Sequence, residues 1–269
     1  MGERVAVLGA GKMGEALLSG MLRAGRAPGD LLFSEKHDER VKHLTSTYGI
    51  EQVQVSEAGA AADTLLVAVK PQEIGALLAD LAGGVTPDNL IISIAAGIPT
   101  STIEAALPDG VPVVRVMSNT PVFVDQAMSA ISPGAHAGEE HLAITETLLR
   151  PVGKVIRVPE TQLDAVTALS GSGPAYFFFL VEAMIDAGIL LGLPRAVAAE
   201  LIVQTAVGSA TMLRDSGEHP VQLREAVTSP GGTTIAAIRK LEDHGVRSAI
   251  LAALEAARDR SRELAAGQP

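Results

Sequence analysis

The sequence has no cysteine and no tryptophan. The first absence excludes disulfides, thiolate nucleophiles and cysteine-based metal sites. With aromatics at only 3%, packing falls to Ala, Val, Leu and Ile, the residues of buried strands and close-packed helices. Long basic runs are missing too, and the formal net charge is -10. A phosphate backbone demands clustered Lys and Arg, so no nucleic-acid partner is expected. A small anion is different, because backbone donors at a helix start can hold one. The six histidines, His37, His43, His136, His141, His219 and His244, fall in no ligand spacing. No metal site is expected, and the histidines read as surface or structural. No charged-then-apolar leader precedes the apolar run that opens at Val5. The longest apolar stretch, residues 174–191, carries Glu182 and Asp186, and carboxylates are costly in lipid. The expectation is a cytoplasmic protein with no membrane span.

What is present is enough for a large core: 269 residues, 47% hydrophobic and 19% charged. The first half alternates short branched runs (5–8, 31–33, 53–55, 65–69, 90–94, 113–116) with helical segments (15–24, 38–47, 57–62, 72–81, 100–106). Such alternation predicts parallel strands joined by crossover helices. Two further strands, 127–131 and 155–158, flank a helix at 139–149 and should extend the sheet. Beyond residue 159 no strand is expected; Ala-rich helices run over 174–191, 195–214, 220–227, 232–244 and 246–265. Gly192, Gly217 and Gly245 stand where helices should stop. The fold class is therefore α/β: a doubly wound, Rossmann-type domain over 1–160, then an all-α domain over 161–269. Phe177, Phe178, Phe179, Val181, Met184 and Ile185 cannot all face inward from one helix. A second subunit should cover the remainder, making the helical part a dimerisation domain.

Gly9-Ala10-Gly11-Lys12-Met13-Gly14 follows the first strand and opens the first helix. In that setting G-x-G-x-x-G is a dinucleotide site. Gly9 permits the turn, Gly11 lets backbone approach a pyrophosphate, and Gly14 lets the helix pack on the sheet. At the second strand tip, Glu35 favours a ribose hydroxyl and hence NAD, while Ser34 and Lys36 suit the 2′-phosphate of NADP. The balance leans to NADPH, with NADH also used. The tips Val69-Lys70-Pro71 and Ala95-Ala96-Gly97 lie on the carboxyl edge, where open α/β sheets bind ligands. Small residues there let a nicotinamide lie against backbone, and Lys70 reads as a strand-end charge rather than a chemical group. Ser56 and Asn119 complete the cofactor set.

In the helical half, Thr228-Ser229-Pro230-Gly231-Gly232-Thr233-Thr234 ends one helix and starts another. Two glycines expose backbone N–H groups there, a geometry suited to a carboxylate, with the hydroxyls of Ser229 and Thr234 beside it.

The stretch from Ala226 to Glu242, with Leu169-Ser-Gly-Ser-Gly-Pro-Ala-Tyr176, resembles the pyrroline-5-carboxylate reductases. Gly9–Gly14, Val69-Lys70-Pro71, Ser93-Ile-Ala-Ala-Gly97 and Arg115-Val-Met-Ser-Asn-Thr-Pro121 are similar to that family's N-terminal half. One departure is Ser118, where the family is expected to carry proline; a looser loop is the expected result. The resemblance implies hydride transfer from NAD(P)H to the imine carbon of 1-pyrroline-5-carboxylate, giving L-proline. It implies that Ser229, Gly231, Gly232 and Thr233 hold the substrate carboxylate and that Thr234 meets the ring nitrogen as the catalytic residue. It also implies a homodimer of interleaved helical domains, often assembled into larger rings such as a decamer. A β-hydroxyacid dehydrogenase would carry a lysine on a glycine-rich interdomain helix, and Ser170–Val181 holds none, with Lys154 and Lys240 flanking it only distantly. A non-catalytic nucleotide sensor would not need the second, carboxylate-shaped motif.

Overall fold

The computed structural model describes residues 4–266; residues 1–3, ahead of the first strand, and 267–269 lie outside it. The chain divides into two compact units, Met1–Ser172 with Ala257–Pro269, and Gly173–Ala256.

The first unit is built on one eight-stranded sheet: β1 (Val5–Leu8), β2 (Leu31–Ser34), β3 (Glu51–Gln52), β4 (Thr64–Val67), β5 (Leu90–Ser93), β6 (Val113–Met117), β7 (Ala127–Pro133) and β8 (Gly153–Arg157). Their order is β3-β2-β1-β4-β5-β6-β7-β8. Strands β3 to β6 form a parallel 3-2-1-4-5-6 arrangement, β7 runs antiparallel to β6, and β8 is parallel to β7. The four residues of β1, β4 and β5 are all buried, because helices cover both faces of the sheet. The helices of this unit are α1 (Lys12–Arg23), α2 (Asp38–Tyr48), α3 (Ala58–Ala61), α4 (Ile74–Leu81), α5 (Thr100–Glu104), α6 (Glu139–Leu149) and α7 (Leu163–Val166). On one face α1 presses Leu17, Leu18 and Met21 onto Val5, Val7 and Val116. On the other, α4 (Ile74–Leu81) packs Leu77, Leu78 and Leu81 against Leu65, Val67 and Ile91.

The third strand is not where residues 53–55 predict it. Pairing with β2 occurs at Glu51 and Gln52, both exposed. A two-residue edge strand needs no apolar alternation, and the apolar Val53 instead turns into the core while its N–H reaches Phe33 O. Other strand and helix ends differ from expectation by a few residues. The helix predicted from Glu15 begins at Lys12, with Gly11 as its N-cap.

The second unit holds α8 (Gly173–Leu190), α9 (Arg195–Asp215), α10 (Pro220–Ala226), α11 (Thr233–Asp243) and most of α12 (Val246–Ala265). Gly192, Gly217 and Gly245 stand in the left-handed region just after α8, α9 and α11. Helices α8 and α9 approach closely where Gly188 meets Ala198: a Cβ on Gly188 would stand 2.8 Å from the alanine methyl. Almost none of these helices is buried within the chain; Phe178 and Phe179 are 65% and 69% exposed. Two helical stretches, Glu160–Leu190 and Arg195–Asp215, are long and apolar enough to cross a membrane. The last turns of α12 belong to the first unit, where Ser261 Oγ donates to Asp164 Oδ1 at 2.7 Å.

Candidate functional site: a nucleotide cleft and a carboxylate loop

The sheet order reverses between β1 and β4, and their carboxyl ends open a cleft of about 320 Å³. Gly9, Gly11, Ser34, Lys36, Val69 and Lys70 line it, with Glu35, His37, Val55 and Glu73. Six of the predicted cofactor residues thus come together. Gly9 has φ of +94° and runs against the β4 tip: a Cβ there would stand 2.6 Å from Val69 Cγ1. Gly14 faces back onto the same turn, where any Cβ would clash with Gly9 O. Gly11 differs from both. Its φ is -64° and a Cβ would meet nothing within 4 Å. Neither strain nor packing within the chain calls for glycine at 11, which leaves close approach by a ligand as its physical reason. The first helical bond runs from Glu15 N to Gly11 O, so the amides of Lys12, Met13 and Gly14 have no acceptor one turn back. A dinucleotide pyrophosphate fits this donor set.

At the β2 tip, Glu35 Oε1 accepts from the N–H groups of Lys36 and His37 at 2.8 and 3.1 Å. The acidic side chain that favours NAD is therefore engaged by its own loop. Lys36 is exposed, its Nζ 3.8 Å from Glu73 Oε1 across the cleft.

Other predicted residues lie elsewhere. Ser56 is exposed beside Val55, and its carbonyl lies against Gly84. Pro71 opens a short 3-10 turn, Pro71–Glu73. Ala95 turns its methyl into the core, Ala96 is exposed, and Gly97 has φ of +74° beside Leu264 and Ala265. Asn119 is buried and occupied: Nδ2 donates to Ser170 O at 3.0 Å, and Oδ1 accepts from Met128 N at 2.9 Å. Ser118, the departure from the expected proline, makes a contact of its own. Its hydroxyl accepts from Ser129 Oγ at 2.9 Å, a cross-link that a proline there would lack.

In the second unit, Gly231 has φ of +70°, and a Cβ on Gly232 would stand 2.4 Å from Ser229 Oγ. Of the two glycine amides expected to be free, Gly231 N–H makes no backbone bond among the described residues, whereas that of Gly232 is taken. Gly232 N–H closes the turn on Ser229 O at 3.1 Å. Further donors are the amides of Thr233, Thr234 and Ile235, the first turn of α11, which has no side-chain cap among the described residues. Thr234 is half-buried, Thr233 exposed. His219, the histidine nearest this loop in sequence, caps α10: its Nδ1 accepts from Val221 N at 3.3 Å.

Residues 160–264 match the model for pyrroline-5-carboxylate reductase dimerisation, and residues 4–97 match that of an NADP oxidoreductase, coenzyme F420-dependent. The pyrroline-5-carboxylate reductase of Corynebacterium melassecola is 44% identical over 266 residues, which is 97% of this chain and 98% of that protein. The chain belongs to the pyrroline-5-carboxylate reductase family. Among solved structures, the reductase from Coxiella burnetii shares 33% identity with a TM-score of 0.92, covering 97% of this chain and 98% of that one. The Plasmodium falciparum pyrroline carboxylate reductase, solved with NADP bound, shares 26% with a TM-score of 0.86 and covers 98% of each. The reductase family is one of NAD(P)-dependent oxidoreductases, and its dimerisation domain makes the chain a homo-oligomer.

Three further arrangements in the first unit are not expected from the sequence. Arg40 and Glu15 form an ion pair under the glycine loop, with His43 and Tyr48 at the same carboxylate. Burial pushes the Glu15 carboxyl upward, but bonds from His43, Arg40 and Tyr48 outweigh it and hold it below the usual range. Glu160 accepts from Thr100 N and Oγ1 and from the buried Arg115 at 2.7–3.0 Å, tying the helix after β5 to β6. Burial raises the Glu160 carboxyl as well, and these donors again bring it below its ordinary value. Lastly, Thr167–Gly171 forms a π-helical turn, a rare element common at functional sites.

Proposed function

We propose that the chain reduces the C=N bond of 1-pyrroline-5-carboxylate to give L-proline, with NADPH preferred and NADH accepted. The observation that carries this reading is that one chain holds two helix starts, at Gly11–Gly14 and Thr233–Ile235, whose first-turn amides have no side-chain cap among the described residues. The chain that carries them is 44% identical, over 97% of its length, to a curated reductase. Engagement of Glu35 by its own loop, with Ser34 and Lys36 at the cleft, supports the lean to NADPH.

When bound, the reduced nicotinamide supplies the hydride that the imine carbon takes up. The chain's own task is to hold and orient. Gly9, Gly11 and the amides of Lys12, Met13 and Gly14 take the pyrophosphate, while Ser34 and Lys36 take the 2′-phosphate. Val69, Lys70, Pro71, Ala95, Ala96 and Gly97 bound the nicotinamide end, largely by backbone; Asn119, its amide taken by Ser170 O and Met128 N, acts by holding its loop, and Ser56, outside the cleft, contributes through the backbone beside Val55. The Gly231 N–H, the first-turn amides of α11 and the hydroxyls of Ser229 and Thr233 take the substrate carboxylate; Gly232, its own amide closing the turn, lets the loop approach it. Thr234 hydrogen-bonds the ring nitrogen. A threonine hydroxyl is a poor acid, so Thr234 orients, and the proton on nitrogen comes from solvent or arrives with the already protonated imine.

The exposed apolar faces of α8 and α9 are read as buried against a second copy rather than in lipid. Glu182 and Asp186 lie on α8, and Asp186 meets Arg195 at 3.2 Å. A homodimer follows, with a decamer as its higher assembly. A cytoplasmic site of action without nucleic-acid or membrane partners belongs to the same proposal.

The test is Thr234→Ala. Turnover falls sharply while NADPH affinity stays near wild type; unchanged imine reduction removes Thr234 from the mechanism.

A further inference from the structure

The nucleotide cleft rests on charged groups that imine reduction itself does not use. Arg40, on the first turn of α2 (Asp38–Tyr48), donates from Nη2 to the Ala10 carbonyl at 2.6 Å. The same nitrogen lies 2.9 Å from Glu15 Oε2. Glu15 Oε1 is 3.0 Å from His43 Nε2 and accepts from the Tyr48 hydroxyl at 3.0 Å. The Glu15 N–H in turn holds Gly11 O at 2.9 Å, so α2, the glycine loop and the first turn of α1 form one network.

Two consequences follow from elementary geometry and charge. In a trans peptide the C=O and N–H point in opposite directions. Anchoring the Ala10 carbonyl on Arg40 therefore aims the Gly11 N–H the other way, and Gly11 lines the nucleotide cleft. The second consequence concerns Glu15. A carboxylate in the first turn suits an empty helix N-terminus but repels a polyphosphate bound there. Arg40, its side chain 31% exposed, is the cation placed between that carboxylate and the loop.

We propose that Arg40 is a positioning residue for the cofactor's phosphates: it aims the Ala10–Gly11 peptide at them and cancels the Glu15 charge beside them. This rests on the cofactor assignment above. Its signature is selective for binding and non-additive. Arg40→Met weakens NADPH binding about tenfold or more, the effect of losing one charge-assisted hydrogen bond. Arg40→Lys keeps the charge without the fork and recovers part of the affinity. Glu15→Gln alone leaves affinity equal or tighter, and the double variant Glu15→Gln/Arg40→Met binds better than Arg40→Met. The loss in Arg40→Met changes with added salt, as expected for a charge removed near phosphates.

The experiment is calorimetric titration of the full-length protein and each variant with NADPH, beside thermal midpoints without cofactor. Weaker binding in Arg40→Met, partial recovery in Arg40→Lys and a rescue in the double variant, at midpoints close to wild type, support the role. Wild-type affinity in Arg40→Met overturns it. So does a fall in midpoint that Arg40→Lys and the double variant share in full, which marks Arg40 as merely structural. If the unaltered protein binds neither NADPH nor NADH, the cofactor assignment itself has failed, a result separable from any variant's.

Discussion

Glycines 11 and 14 stand three residues apart in one motif, yet the structure separates what each is for. Adding a methyl at Gly11 meets nothing within 4 Å, and φ of -64° is comfortable for alanine. The stability change in Gly11→Ala is the sum of a weaker N-cap and a stiffer unfolded chain. These oppose each other and leave a net within about 1 kcal/mol. Ligand binding feels the methyl directly, because it occupies the surface on which a pyrophosphate must rest. An overpacking cost of about 1–3 kcal/mol corresponds to a loss of about 5- to 150-fold in NADPH affinity. Gly14→Ala behaves differently: its methyl would clash with Gly9 O and stand 3.1 Å from Val7 Cγ1. Backbone must shift there, lowering stability by about 1–3 kcal/mol along with affinity. Thermal melts beside NADPH titrations read both quantities. A Gly11→Ala protein that melts and binds NADPH as wild type refutes the phosphate assignment.

Replacing Ser34 or Lys36 with Ala should lower kcat/KM for NADPH relative to NADH, and unchanged ratios in both variants reject a 2′-phosphate at the β2 tip. Removing the carboxylate in Glu160→Ala leaves Arg115 buried without its partner and should cost about 3 kcal/mol, measured by urea unfolding. Because the folded Glu160 carboxyl is held below its ordinary value of 4.5, its contribution is present above that pH and is lost as pH falls through the folded value. The acid limb of the stability profile should therefore be shallower in Glu160→Gln, and parallel limbs count against this. Phe178→Glu, placing charge on an exposed apolar face of α8, should shift sedimentation toward monomer.

Much of the architecture is legible because its cause is local. Buried parallel strands read as apolar runs: β1 is unbroken, and β4 and β5 are apolar but for Thr64 and Ser93 at their ends. Helix ends marked by glycine fall where left-handed backbone is required, at Gly192, Gly217 and Gly245. The third strand is illegible because an exposed two-residue edge leaves no periodic signature. The π-helical turn at Thr167–Gly171 escapes for a related reason: Ser-Gly-Ser-Gly-Pro reads as a break before a helix, whereas the backbone stays helical through it with a wider turn. At the cleft, the motif glycines are legible and the groups that hold them are not. Arg40 lies 30 residues from Ala10, and Glu160 lies 45 from Arg115, so only the folded sheet brings them together. The loop at Ser229–Thr234 shows a similar limit. Its helix start is evident from Pro and Gly, but which amide closes the turn depends on backbone direction, and Gly232 is the one that closes it.

The most direct measurement uses NADPH carrying deuterium at the transferred position of the nicotinamide, with 1-pyrroline-5-carboxylate as substrate. The protein should oxidise one NADPH for each proline formed, and each proline should carry one deuterium at the former imine carbon. Proline without that label, or no NADPH oxidation in the presence of the imine, would contradict the account.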